Sequence, residues 1–227
     1  MPHHRPPLRP AWRSTVASRL TPTQRVWLFR PGALTAGLRA LGSFRLRVSR
    51  EYVARLDAPE ARILRQSVGT VVWVREVVMS VGGVDCVSAR SMTPLIASHG
   101  TWSAMRRLKT RPLADILYDA REVTRGPFMW RQIGVGDSLW LAVRRNSDQA
   151  RQDGAGPDRD SETAHGAHGR APQPAGGHAR WVSRPQLYAR QSVFWRGAMP
   201  LLVQECFLPD FWRQLDRVGS ARPTPSD

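Results

Sequence analysis

Cysteine is scarce in this chain: Cys86 and Cys206 are the only two among 227 residues, and both fall in strand-like runs rather than loops. That excludes a disulfide scaffold and reads as a pair of buried free thiols in a reducing compartment, so the cytoplasm is the expected location. Lysine is scarcer still, since Lys109 is the one lysine among 34 basic residues and arginine carries the rest. Acid is missing from the start of the chain. No Asp or Glu precedes Glu51, whereas ten arginines do, which puts +10 of the formal net charge of +16 in the first fifty residues. A field of this sign favours anionic partners of any size, from small carboxylates to nucleic acid. Long apolar runs are also lacking: the best candidate, Val68 to Val87, is broken by Arg75, Glu76 and Asp85, and no signal-peptide apolar segment follows the basic N-terminus. Neither membrane insertion nor secretion is expected. The acid-free N-terminus resembles an organelle transit peptide, but four prolines between Pro2 and Pro10 oppose an amphipathic helix there. Residues 1–20 read instead as a flexible extension.

What is present describes one globular domain. With 41% apolar and 23% charged side chains, a chain of this length buries roughly 70% of its unfolded surface. From Asn146 to Arg180 no apolar side chain larger than alanine occurs apart from proline, so this stretch has nothing to contribute to a core and is expected to be a disordered insertion. The domain then spans residues 21–215, with a flexible tail at 216–227. Thr21-Pro22-Thr23 is a helix-start signal, Pro31-Gly32 a break, and Ala33 to Leu41 a second helix ending at Gly42. Ser43 to Arg50 alternates apolar residues with arginine, as a half-buried strand does. Val68 to Val81 and Val84 to Met92 are strands joined by Gly82-Gly83, the residue type that a two-residue hairpin turn demands. Trp102 to Leu108 and Leu113 to Tyr118 read as helical. Phe128 to Ile133, Leu187 to Trp195 and Met199 to Leu208 complete the strands, the last two meeting around Arg196-Gly197. The fold class is α+β: an antiparallel sheet of about six strands, with helices segregated beside it as helix-turn-helix flaps over a buried site.

Two charges stand out. Counting outward from Gly82-Gly83 sets Val81 opposite Val84, Met79 opposite Cys86 and Arg75 opposite Arg90, so both guanidiniums would leave one face. Like charges there repel by about 4 kcal/mol at 4 Å in a protein-surface dielectric, and an anion between them would remove that cost. Arg75 is flanked by valine, tryptophan and methionine, a setting in which a planar fork suits a carboxylate. Pairing with Glu76 or Asp85 is opposed by parity, since both point to the other face. Anion binding and structural pairing both remain open on geometry alone, because a register slips by one easily. Glu205 is the second anomaly, a lone acid in the apolar run Leu201 to Leu208. It must be paired or protonated if buried. A salt bridge to a neighbouring arginine and a catalytic or substrate contact are both open.

Val74-Arg75-Glu76-Val77-Val78, the glycine turn, Ala89-Arg90 with Pro94, Lys109-Thr110-Arg111-Pro112-Leu113, and Leu201-Leu202-Val203-Gln204-Glu205-Cys206-Phe207-Leu208-Pro209 resemble, in order and spacing, the successive signatures of the chorismate pyruvate-lyase family. The likeness runs from about Leu20 to Pro209, omitting the insertion. It implies cleavage of chorismate to 4-hydroxybenzoate and pyruvate, the first step of ubiquinone synthesis, without cofactor or metal. It also implies an antiparallel sheet with two helical flaps over a buried site. By the same resemblance, Arg75 grips the ring carboxylate and Glu205 faces the ring hydroxyl, both in a catalytic role. Leu113 lends backbone to the pocket, and Leu34 stands in the first flap where the family often has methionine. Arg90 matches a nearby arginine that contacts the enolpyruvyl carboxylate or a second ligand. Ser88-Ala89-Arg90 departs from a more usual small-Gly-Arg.

The competing function is a non-catalytic effector-sensing domain of related fold that binds a small aromatic acid; the retention of Glu205 and the lack of a preceding winged helix speak against it. Nucleic acid is not an expected partner, since the arginines are dispersed rather than patterned. The chain is expected to be a monomer. His165, His168 and His178 lie in the insertion and are discounted as metal ligands. Gly134-Val135-Gly136 lacks the rest of a dinucleotide fingerprint.

Overall fold

The computed structural model describes residues 11–117, 122–154 and 186–220. Helix α1 (Pro22–Leu28) opens with a capping box: Thr21 Oγ1 accepts from the Gln24 amide, and the Gln24 side chain accepts from the Thr21 amide. After Pro31-Gly32 comes α2 (Leu34–Arg39), completing the expected helix-turn-helix. Strand β1 (Phe44–Arg55), α3 (Ala58–Leu64), β2 (Val71–Val81) and β3 (Val84–Pro94) follow. Then come α4 (Leu95–His99), a 3₁₀ turn at Ser103–Arg107, α5 (Ala114–Leu117), β4 (Val123–Arg125) and β5 (Met129–Ile133). The described chain ends with α6 (Ser138–Gly154), β6 (Leu187–Arg196), β7 (Met199–Phe207) and α7 (Pro209–Ser220).

The strands form one seven-stranded antiparallel sheet in the order β1-β2-β3-β7-β6-β4, with β5 also on β6. The α+β class holds. The extra strand is β4, only three residues long, too short to leave an alternation signal. Strand β2 is apolar almost without a break because both of its faces are covered. On one face α3 packs on Val72, Val74, Met92 and Leu202, while α6 packs on Leu187, Ala189 and Cys206. The other face has an apolar cluster at each end. At one end α1, α2 and α7 cover Val77, Met79, Val87 and Phe207. At the other, α4, the 3₁₀ turn and α5 cover Trp73, Phe194 and Leu201. The two helical flaps thus lie on one face with a space between them.

The hairpin register differs from the sequence count. Gly82 and Gly83 do form the turn, both at positive φ, with Val81 opposite Val84. Between Met79 and Ser80, however, β3 carries one extra residue: Ser80 faces Asp85 and Met79 faces Val87, leaving Cys86 as a β-bulge. The Ser80 hydroxyl bonds Asp85 Oδ1 at 2.6 Å, and the Cys86 side chain is buried in the cluster beneath α7. Every later pair shifts by one. Arg75 faces Ser91, and Arg90 faces Glu76.

Three expected boundaries also move. Residues 11–20 are not a free extension: Arg13 exchanges backbone hydrogen bonds with Trp130, whose indole donates to the Thr15 carbonyl, and Leu20 is buried. Residues 216–220 continue α7 rather than starting a tail. Asn146 does not begin an insertion, since α6 runs on to Gly154 and buried Asn146 donates to Ser88 Oγ at 3.0 Å. A search for apolar side chains missed it because the anchor is an amide. Residues 1–10, 155–180 and 221–227, with His165, His168 and His178, lie outside the described residues. Asn146→Ala strips the buried Ser88 hydroxyl of this partner and is expected to cost about 1–3 kcal/mol. Urea unfolding measures this, and an unchanged midpoint would remove the anchor role.

Candidate active site

Because opposite residues in an antiparallel sheet share a face, the register lays out the floor between the flaps row by row. One row runs Glu51, Arg75, Ser91, Val203, Ser192, and the next Val77, Ala89, Glu205, Arg190. With Leu34 from α2, Leu113 and Leu117 from the second flap, and Phe128 and Phe194, all of these residues except Glu51 line a cavity of about 660 Å³, counting its solvent mouth. Arg75 and Glu205 stand two strands and one two-residue step apart, about 12 Å between Cα atoms. Both residues line the same cavity.

Arg75 is 2% exposed. Its Nη2 donates to the Lys109 and Arg111 carbonyls of the loop before α5, and its Nε lies 3.3 Å from Glu51. Burial pulls this guanidinium below its ordinary value, and the Glu51 charge offsets part of that. Arginine starts so high that the group stays cationic near neutrality. Parity correctly kept Glu76 away from Arg75, but Glu51 went unseen. A bulge between Val48 and Arg50 reverses which residues of β1 face the cavity, so the alternation from Phe44 to Val48 stops just before the partner.

Glu205 meets the first of its two sequence alternatives, the salt bridge to a neighbouring arginine. It lines the cavity, and it accepts from Arg190 Nε at 2.6 Å. Arg190 is 1% exposed, stacks on the Phe128 ring, and through Nη1 donates to the Trp27 and Arg30 carbonyls of the first flap. Sequence reasoning missed Arg190. The signal was available in the β6–β7 turn: taking Gly197-Ala198 as the turn residues, with Arg196 facing Met199, brings Arg190 opposite Glu205. Placing the turn one residue earlier loses the pair.

Arg90 is a correction. Its guanidinium is on the other face, where it pairs with Glu60 of α3 and lies 3.7 Å from Glu76. Ser138 Oγ donates to Glu60, while the Tyr52 hydroxyl and Arg145 donate to Glu76. Burial acts to lower Arg90, but Glu60 and Tyr52 outweigh it, and the group sits above its ordinary value. This cluster ties α3 and α6 to the sheet. All five residues expected at the site border the cavity, Arg75, Glu205, Leu34 and Leu113 among them, but the Arg90 guanidinium is turned to the other face of the sheet.

The chain matches the family model described as chorismate lyase over residues 8–147. It is 47% identical over 218 residues to a "Probable chorismate pyruvate-lyase" of Bordetella avium (strain 197N), covering 96% of this chain and 92% of that one. The chain belongs to the chorismate lyase family. The protein of the same name from Bordetella pertussis is 46% identical over 206 residues, covering 91% of this chain and 92% of that one. "Probable chorismate pyruvate-lyase 1" of Pseudomonas fluorescens (strain Pf0-1) is 35% identical over 205 residues, with 90% and 92% covered. Among solved structures, PhnF from Mycobacterium smegmatis superposes with a TM-score of 0.48 at 14% identity, covering 79% of this chain and 64% of that chain. Likeness at that level carries no functional argument, whereas the lyase match covers nearly the whole chain.

Placing Arg90 in a structural ion cluster generates a prediction that separates the two faces. Arg90→Ala leaves Glu60 and Glu76 short of a buried partner and is expected to cost about 3–5 kcal/mol of stability. Binding of benzoate by the folded fraction should be unchanged. Weakened benzoate binding with normal stability would return Arg90 to the ligand site.

Proposed function

We propose that this chorismate lyase family member converts chorismate to 4-hydroxybenzoate and pyruvate, the first step of ubiquinone synthesis. The observation that carries the reading is the bracketed cavity: a guanidinium fork at one wall, a carboxylate at the other, and apolar side chains between. Arg75 receives the ring carboxylate, its orientation set by the Lys109 and Arg111 carbonyls. Glu205 accepts from the ring hydroxyl across the ring, held in place by Arg190. Leu34 and Leu113 close on the ring from the two flaps.

The atoms balance without a cofactor. The ether bond between the ring and the enolpyruvyl oxygen breaks, and that oxygen becomes the keto oxygen of pyruvate. The hydrogen on the ring carbon bearing the hydroxyl is lost as the ring aromatises, and the enolpyruvyl methylene gains one to become the methyl group. No net oxidation occurs. The protein supplies orientation in a site shielded from water, and Glu205 stabilises charge developing at the hydroxyl end. The small-molecule substrate and product are the partners assigned; nucleic acid is not among them, and the working unit is a monomer. Among the described residues no helix is long and apolar enough to cross a membrane. A cytoplasmic location is supported by the free thiols, both buried, with burial pushing Cys86 up to about 11 and Cys206 also upward.

The deciding experiment mixes purified protein with chorismate and measures the two products, which should appear in equal amounts; no products would overturn the reading. Arg75→Lys keeps the charge near Glu51 but loses the fork, and should lower kcat/KM by about 10- to 100-fold. Its circular dichroism melt should show a folded protein. Glu205→Gln should cut turnover more than it cuts affinity for benzoate, which carries the carboxylate alone. Equal losses in both would make Glu205 structural.

A further inference from the structure

Arg190 links two parts of the site that the reaction itself does not require to be joined. Its guanidinium holds Glu205 through Nε and, on the same rigid plane, holds two carbonyls just beyond and at the end of α1 through Nη1, at 3.2 Å to Trp27 and 3.0 Å to Arg30. Those carbonyls belong to the chain that leads into Gly32 and Leu34 at the cavity rim. A helix C-terminus and the turn after it present carbonyl oxygens that a cation satisfies. The aromatic face of Phe128, itself a cavity wall, lies under the same guanidinium. With its charge neutralised by Glu205 and its plane fixed by Phe128, Arg190 has little freedom to turn away. Lysine could satisfy Glu205 or the carbonyls, but a single ammonium on a flexible stem does not span both.

We propose that Arg190 is a positioning residue that couples Glu205 to closure of the first flap, so that a ligand whose hydroxyl engages Glu205 also holds the flap shut. The coupling deepens the lyase reading and rests on it for the ligand's identity, but the tether itself is a property of the free protein. By linkage, whatever orders the Glu205–Arg190 pair must stabilise the closed flap to the same extent that flap closure stabilises the pair. 4-Hydroxybenzoate, which has the hydroxyl, should therefore protect the flap more than benzoate does.

Amide hydrogen exchange of peptides spanning residues 25–33 reads the tether directly. In the ligand-free full-length protein, Arg190→Lys is expected to speed exchange there by about tenfold, the loss of roughly one charge-assisted hydrogen bond, with strand β3 unchanged. Glu205→Gln keeps Arg190 but removes its ionic anchor, so it too should speed exchange at 25–33, and the double variant should add little beyond Arg190→Lys. In wild type, saturating 4-hydroxybenzoate should slow this exchange more than saturating benzoate, and Arg190→Lys should erase the difference while raising the 4-hydroxybenzoate dissociation rate. Unchanged flap exchange in both variants, or acceleration spread equally over β3 and β7, would overturn the proposal. Should Arg190→Lys fail to fold, Glu205→Gln alone decides by the same readout. Wild-type protein that binds neither acid but shows the expected exchange in both variants would overturn the lyase reading and leave the tether standing.

Discussion

The β-bulge at Cys86 decides which charges this sheet shows to which side. One extra residue in β3, next to a turn of two glycines, puts Arg90 on the face of α3 and α6 and sets Ser91 opposite Arg75 on the cavity floor. Without it, two arginines would stand opposite each other beneath a pocket, and Glu60 and Glu76 would be buried without Arg90. The bulge holds because the Cys86 side chain is buried among apolar neighbours and the Ser80–Asp85 hydrogen bond closes the short side of the ladder. A structural thiol thus has a functional consequence some distance away, transmitted through strand register alone.

Each face of the sheet then neutralises its own charge. Behind the sheet, Arg90 and Arg145 meet Glu60 and Glu76 with Tyr52 as a hydrogen-bond donor, and burial pushes the Tyr52 phenol up, keeping it protonated. On the cavity side, Arg75 meets Glu51 and Arg190 meets Glu205. Separate neutralisation matters because an unpaired charge between packed layers costs several kcal/mol. It also leaves the charges on the cavity side paired among themselves and not with those behind the sheet.

How much of this was legible in the sequence depended on whether the signal was local. The capping box at Thr21, the break at Pro31-Gly32 and the glycine turn each lie within a few residues, and each forms where expected. The family motifs named four residues that do converge on one cavity. What failed was counting across distance. The bulge at Cys86 moved Arg90 to the other face, a bulge near Ser49 hid Glu51, and a turn placed one residue early hid Arg190. Each bulge shifts the alternation by one residue beyond it, and a misplaced turn shifts the pairing between strands, so a single period carried along the whole strand puts the later residues on the wrong face. Asn146 was missed for a different reason, since its role is a buried hydrogen bond and apolar periodicity is blind to amides.

The arrangement of the two cavity arginines bears on how the site acts. Both are fixed by carbonyl oxygens of the segments that roof the cavity: Arg75 by the loop before α5, Arg190 by the turn after α1. The sheet therefore reaches up to both flaps through the same groups that line the cavity. Orientation is built into the fold before binding, which spares the ligand the cost of ordering two long side chains. It also places fixed charges and dipoles in a space walled by leucine and phenylalanine, which strengthens each electrostatic contact. A reaction that needs no cofactor, only a held geometry for one bond to break while a ring aromatises, is the kind of chemistry such a pre-paired site can accelerate.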